Sequence, residues 1–298
     1  MWMQLLNDIK NGSQKSLARC ISLIENEVSG YEKLLQSLPA STVPVIGITG
    51  PPGAGKSTLV DALIEVLVQH GKKIAVLCVD PSSPFNLGAL LGDRIRMSNW
   101  YNHPNVFIRS LATRGSLGGL HPKILEIADL CKAAPVDYVI VETVGVGQSE
   151  IEIAGLADAT VVVLVPEAGD EVQTMKAGLM EIADVFVVNK ADRPEADLFV
   201  RNLRLMLAPS FKEERFEIAI VKTTATEKKG VEELWNTIDA HLHSGHYNQR
   251  KSWLLAEKAW QLIQRRRMSD LNKEVLKKEL EAEYNSGTFN LYRFVESK

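Results

Sequence analysis

The chain has 298 residues, with 34 lysines and arginines against 37 aspartates and glutamates and a formal net charge of −3. That length fits two domains, or one large α/β domain with appendages, and a core large enough to need no disulfide staples. The near balance of charge excludes a broad nucleic-acid or anionic-membrane footprint, which needs clustered positive charge.

Residues 1 to about 40 read as helical, because Leu17, Ile21, Leu23, Ile24, Val28, Tyr31 and Leu34 recur mostly three and four apart and give one apolar face. The start carries Asp8 and lacks the basic and apolar blocks of a signal peptide. From there strands and helices alternate. Apolar strands are expected over 43–49, 74–79, 106–108, 138–142, 159–165, 185–189 and 218–221. Helices are expected over 57–70, 122–134, 195–207 and 231–243. Near-continuous apolar strands between helices imply an α/β fold with a mostly parallel, doubly wound sheet.

After Gly245 the chain turns rich in charge and helix formers, with Trp253, Leu254, Trp260, Ile263, Leu271, Val275 and Leu280 as apolar punctuation. One or two exposed helices are expected there, either covering the same domain or forming an oligomerisation arm with Trp253 and Trp260 on one stripe. The expected division is a helical N-terminal extension (1–42), a nucleotide-binding domain (43–245) and a C-terminal helical arm (246–298). Cys20, Cys78 and Cys131 sit far apart in apolar runs and read as reduced core residues. The longest apolar stretch, 159–166, is far short of the ~20 residues that cross a bilayer, so a cytoplasmic protein is expected.

The strongest chemical signal is Gly50-Pro51-Pro52-Gly53-Ala54-Gly55-Lys56-Ser57-Thr58, placed after a strand and opening a helix. This is the GxxxxGK[ST] phosphate loop in its required context. The glycines let backbone N–H groups wrap phosphates, Lys56 reaches the terminal phosphates, and the Ser57 hydroxyl suits Mg²⁺. Asn189-Lys190-Ala191-Asp192 ends a later strand. There Asp192 can accept two hydrogen bonds from guanine, Lys190 can lie along the base and Asn189 can brace the loop. Thr224-Ala225-Thr226, after the next strand, is the natural place for an N–H contact to guanine O6. Guanine over adenine makes the substrate GTP.

Three carboxylates stand at strand ends or in loops beside the expected phosphate site, namely Asp80, Asp93 and Glu142. With Ser57 they are the candidate Mg²⁺ shell, and with Lys56 the candidate hydrolytic set. The loop from Glu142 to Gln148 occupies the place of a γ-phosphate sensor, with Gly145 as the N–H donor. A second polar loop carries Asp170, Glu171, Gln173 and Lys176, which could form an ion-paired switch or an inert connection.

Together these segments resemble the MeaB/ArgK/methylmalonic aciduria type A family of P-loop GTPases. The resemblance rests on GPPGAGKSTLVDAL, VDPSS, LLGDRIRM, FIRSLATRGSLGGL, ETVGVGQSE, AGDEVQTMKAG and NKAD, with weaker similarity reaching nearly the whole chain. It implies a GTPase chaperone that gates cofactor delivery to an adenosylcobalamin-dependent acyl-CoA mutase, typically methylmalonyl-CoA mutase, and protects it. It also implies a homodimer held partly by the C-terminal arms, with no cobalamin bound by this chain itself. On the same basis Gly145 marks the second switch and Asp170–Lys176 resembles a third, which couples the nucleotide to the mutase. The chain departs from the usual family pattern at Pro84-Phe-Asn-Leu-Gly-Ala89 and at His121-Pro122. Two other classes fit less of the sequence. A small-molecule kinase should prefer ATP, against Asp192; a nickel-type metallochaperone needs a ligand cluster, for which His241, His243 and His246 are the nearest thing.

Overall fold

Seven apolar runs become strands: β1 (Val45–Thr49), β2 (Ile74–Asp80), β3 (Val106–Ala112), β4 (Tyr138–Glu142), β5 (Ala159–Leu164), β6 (Val185–Val188) and β7 (Ala219–Lys222). The computed structural model describes residues 1–80, 97–113, 120–143, 149–168, 182–207, 218–244, 249–268, 270–285 and 289–298. The described chain divides into two units, Met1–Lys251 and Ser252–Lys298.

In the first unit the strands form one sheet ordered β3-β2-β4-β1-β5-β6-β7, with every neighbouring pair parallel. Side chains alternate across the pleat, so both faces must be apolar if both are covered. They are. Ile46, Ile48, Ile140 and Val161 pack with Leu59, Leu63 and Leu67 of α4 (Lys56–Gln69), and with Leu234 and Ile238 of the helix Val231–His243. Val45, Leu77, Val139 and Val141 pack on the other face with residues of the helices Gln14–Glu25 and Ile124–Cys131. Val162, Leu164 and Phe186 meet Phe199 and Leu203 of the helix Ala196–Leu207. Each such side chain contributes about 1.5–3 kcal/mol of burial free energy before entropic losses. All three cysteines are buried, and burial pushes the Cys20 thiol up to about 11 and the Cys131 thiol to about 12.

β2, β3 and β4 lie on one side of β1, and β5, β6 and β7 on the other. Chain progression therefore reverses at β1, and in open α/β sheets ligands bind outside the carboxyl ends at such a point. The phosphate loop leaves the carboxyl end of this strand.

Two local differences from the expected elements have clear causes. The N-terminal section is three helices, α1 (Trp2–Lys10), α2 (Gln14–Glu25) and α3 (Tyr31–Gln36). Gly12 and Ser13 interrupt the first two, and the Ser13 hydroxyl caps α2 by accepting from the Ser16 N–H at 3.2 Å. β3 runs on to Ala112 through the polar pair Arg109-Ser110, because it pairs with β2 along its whole length. Arg109 is tolerated there because its guanidinium donates to Ser22 Oγ at 2.9 Å and Glu25 Oε2 at 2.6 Å.

The His121-Pro122 departure also has a structural use. His121 is buried, and its Nδ1 accepts from the Lys123 N–H at 3.0 Å, closing the turn that enters the helix Ile124–Cys131. Burial alone would lower the pKa of Lys123, but hydrogen bonds to Glu27 and Tyr31 outweigh it and hold the ammonium above its ordinary value.

The second unit contains most of the helix Gln249–Arg267, then Lys273–Tyr284 and Leu291–Glu296. Asn272 caps the middle helix by accepting from the Glu274 and Val275 N–H groups, and Asn290 caps the last in the same way. Among its described residues only Phe294 is a buried apolar side chain. Leu255, Trp260, Leu262 and Ile263 are exposed, Trp260 by 59%. The side chains of Trp253 and Leu254 lie outside the described set.

Candidate functional site

The turn from β1 into α4 is built on glycines in the left-handed region, with Gly53 at φ +76° and Gly55 at φ +87°. Gly55 is also the N-cap of α4, and a Cβ there would come within 2.4 Å of Asn189 Nδ2. Only glycine satisfies both demands. A Cβ on Gly53, by contrast, would meet nothing within 4 Å, so there only the positive φ calls for glycine. Lys56 opens the helix, is buried, and donates from Nζ to Gly50 O at 2.9 Å and Pro51 O at 3.0 Å. The loop's own carbonyls thus fix where the ammonium sits, at the start of the helix. Gly50, Pro51, Pro52, Gly53, Ala54, Gly55 and Thr58 complete the cradle around the helix N-terminus, which favours anions.

Ser57 is buried beside Lys56, and its hydroxyl donates to Glu142 Oε1 at 2.7 Å. Glu142 ends β4 and is paired in register with Ile48 of β1, which brings the carboxylate to the phosphate loop across 85 residues of sequence. Asp80 ends β2, is buried, and holds the Thr113 N–H on its main-chain carbonyl at 3.0 Å. A hydroxyl with two strand-end carboxylates is a set of hard oxygen donors, and that chemistry fits Mg²⁺. Asp93, Gly145, Gln148, Asp170, Glu171, Gln173 and Lys176 lie outside the described residues.

The structure joins Asn189 to two other segments. Its Nδ2 donates to Ala54 O at 2.9 Å. Its Oδ1 accepts from Thr223 Oγ1 at 3.1 Å and from the Ala225 N–H at 3.2 Å. One buried amide therefore locks the phosphate loop, the Asn189–Asp192 loop and the Thr224–Thr226 turn to one another. Thr223 was not visible as a site residue in the sequence, although its place directly before Thr224 is a signal. Replacing Asn189 by alanine leaves several buried polar groups unpaired, at about 1–3 kcal/mol each. The expected result is a melting temperature lower by several degrees and a GDP affinity lower by at least about tenfold; a thermal melt with and without GDP reads both.

Lys190 adopts φ +57° and donates from Nζ to Gly53 O at 2.8 Å, so its stem runs along the expected base site to the phosphate loop. Asp192 is exposed at the rim. Nearby, Glu227 holds the Lys229 ammonium above its ordinary value by a 2.6 Å ion pair, with a smaller contribution from the charge of Asp192. Within the Thr224–Thr226 turn the Ala225 N–H is taken by Asn189 and the Thr224 N–H by the Lys229 carbonyl at 3.0 Å. Arg193, directly after Asp192, forms an ion pair with Glu167 in the short turn that follows β5. His241 lies 3.8 Å from Asp184 and His243 turns to Asp239, while His246 is outside the described residues. No group of three or more His, Cys, Asp or Glu assembles as a metal site among the described residues.

The profile of the family described as methylmalonyl-CoA mutase-associated GTPase MeaB matches residues 17–279. The chain belongs to the MeaB family. A Pyrococcus horikoshii relative named as a GTPase is 47% identical over 245 residues, which cover 80% of this chain and 77% of the relative. The mouse mitochondrial methylmalonic aciduria type A homolog is 33% identical over 293 residues, covering 88% of this chain and 69% of the relative. Among solved structures, a LAO/AO transport system kinase superposes with TM-score 0.67 at 25% identity, covering 99% of this chain and 95% of that one. This MeaB chain is accordingly a GTPase on a P-loop GTPase fold. Among the described residues no helix is long and apolar enough to cross a membrane.

Proposed function

We propose that this chain is a GTP-hydrolysing chaperone that gates adenosylcobalamin loading and protects an adenosylcobalamin-dependent acyl-CoA mutase, methylmalonyl-CoA mutase or a near relative. The observation that carries the reading is the match of the mutase-associated family across residues 17–279. It includes ETVGVGQSE and AGDEVQTMKAG, which a generic GTPase does not need.

On this reading Gly50–Thr58 holds the phosphates, Asp192 and Lys190 hold guanine, and the Thr224–Thr226 turn meets O6. Ser57, Asp80, Asp93 and Glu142 would hold Mg²⁺, which when bound supplies positive charge to the β- and γ-phosphates. Lys56 offers its ammonium to the terminal phosphate oxygens. Gly145 and Gln148 belong to the γ-phosphate sensor, while Asp170, Glu171, Gln173 and Lys176 form the segment through which the mutase reads the nucleotide. Cobalamin stays with the mutase. The arm 246–298 pairs two copies of the chain, and the exposed Leu255, Trp260, Leu262 and Ile263 supply its apolar surface.

The test is steady-state GTP turnover with and without methylmalonyl-CoA mutase from the same source. A rise of at least about tenfold on adding mutase, the scale of a lost or gained transition-state contact, is the expected result. An unchanged rate, with no complex on a sizing column, overturns this choice of client.

A further inference from the structure

β1 and β4 are neighbouring strands that end together, Ile48 opposite Glu142. One residue beyond, two threonines stand where apolar strands meet the phosphate side of the sheet. The Thr143 N–H donates to Ile48 O at 3.0 Å, adding a last rung to the ladder. The Thr143 hydroxyl then donates to Thr49 Oγ1 at 3.0 Å, across 94 residues of sequence. Thr49 is 0% exposed and Thr143 2%.

Alternation across the pleat separates this pair from the metal-shell residues. Glu142 points to the α4 face, where its carboxylate takes the Ser57 hydroxyl. Thr143 therefore points to the opposite face. Thr49 shares that face with Gly47, whose missing Cβ makes room for Ile153 and Ala157. The two hydroxyls thus lie on the sheet face opposite the Ser57–Glu142 contact, the face on which Ile153 of the helix Ser149–Leu156 packs over Gly47. In such a setting a valine would bury as well, and a hydroxyl is tolerated only because it is hydrogen-bonded.

What the bond adds is a side-chain tie between two loop origins. Thr49 is followed at once by Gly50 and the phosphate loop; Thr143 is followed at once by residues 144–148, with Gly145 two positions on. The backbone ladder already fixes the register of the two strands, and the buried hydroxyl bond ties their last side chains together as well, at the point where the two loops leave the sheet. We propose that Thr49 and Thr143 are positioning residues which hold the departure point of the 144–148 loop against the phosphate loop. They thereby set the hydrolysis rate and the preference for GTP over GDP, without touching nucleotide. The proposal rests on the reading of residues 144–148 as the γ-phosphate sensor.

The test compares Thr143→Val, Thr143→Ser, Thr49→Val, the double valine variant and Gly145→Ala in the full chain. It measures kcat, KM, GDP affinity and affinity for a non-hydrolysable GTP analogue. A misplacement below 1 Å near the reacting atoms is expected to lower kcat about tenfold. For Thr143→Val the analogue-to-GDP affinity ratio should fall about fivefold, with GDP affinity held within about twofold, since GDP lacks the sensed phosphate. Thr143→Ser should recover most of the loss. Thr49→Val should reproduce it from the other side of the bond, and the double variant should be no worse than the poorer single one. Wild-type kcat and wild-type nucleotide preference in both valine variants overturn the proposal. So does an equal loss of GDP and analogue affinity, which would mark general damage to the phosphate loop. If Gly145→Ala changes the preference and Thr143→Val does not, only the threonine role falls. If Gly145→Ala changes nothing, the sensor reading falls and the proposal with it.

Discussion

Replacing Lys56 by alanine is expected to lower kcat for GTP by about 10³-fold, the scale of removing one preorganised donor from a developing anion. The ammonium is buried at the first turn of α4, where the Gly50 and Pro51 carbonyls hold it. A charge held in place before the reaction needs little reorganisation to act on a developing anion. Thr58, Ser57 and the loop glycines remain in the variant, so nucleotide should still bind, more weakly. Lys56→Arg should not rescue, because a planar fork cannot occupy the position of a point charge between two carbonyls. Phosphate release measured at saturating GTP, beside a melt showing an intact fold, checks this. A variant with a rate within about tenfold of wild type contradicts the role.

Changing Asp192 to asparagine is expected to lower kcat/KM for GTP by about 10²-fold and to raise turnover of xanthosine triphosphate, because a bidentate pair is worth about 1–3 kcal/mol of discrimination. A carboxylate accepts from both guanine N1–H and the exocyclic amine, whereas the amide presents a donor to one of them. Xanthine carries a carbonyl at that position and matches the amide. The scaffold for Asp192 is rigid: Asn189 locks its loop to Ala54, Thr223 and Ala225, and Lys190 is tied to Gly53. The exchange therefore alters one contact and leaves the pocket in place. An unchanged ratio of GTP to xanthosine triphosphate turnover would remove Asp192 from the base site.

Much of this was legible in the sequence, for physical reasons that differ by element. Gly50–Thr58 could be read because phosphate binding demands glycine, lysine and hydroxyl at fixed spacing. The seven strands could be read because a sheet covered on both faces buries nearly every position, as in β1, β4 and β5, and so is mostly apolar. The same rule hid the second half of β3. Arg109 and Ser110 break the apolar run, and only tertiary partners in α2 make a strand possible there. The break between α1 and α2 was hidden because Leu17, Ile21 and Ile24 keep a helical period, while Gly12 and the Ser13 cap end the preceding helix locally. Contacts between residues far apart in sequence were the least legible part of the site. Ser57 and Glu142, Thr49 and Thr143, and Asn189 and Ala54 meet only because β1 is hydrogen-bonded to β4 on one side and β5 on the other. A motif shows which residues a reaction needs, but the sheet order decides which of them touch.

The most direct test of the account is kcat/KM for GTP and for ATP measured side by side in Mg²⁺ on the full chain. Asp192 on its braced loop and the Lys56–Ser57 start of α4 predict Mg²⁺-dependent turnover that favours GTP by at least about 10²-fold. Equal use of ATP, or GTP turnover that persists undiminished in EDTA, would contradict it.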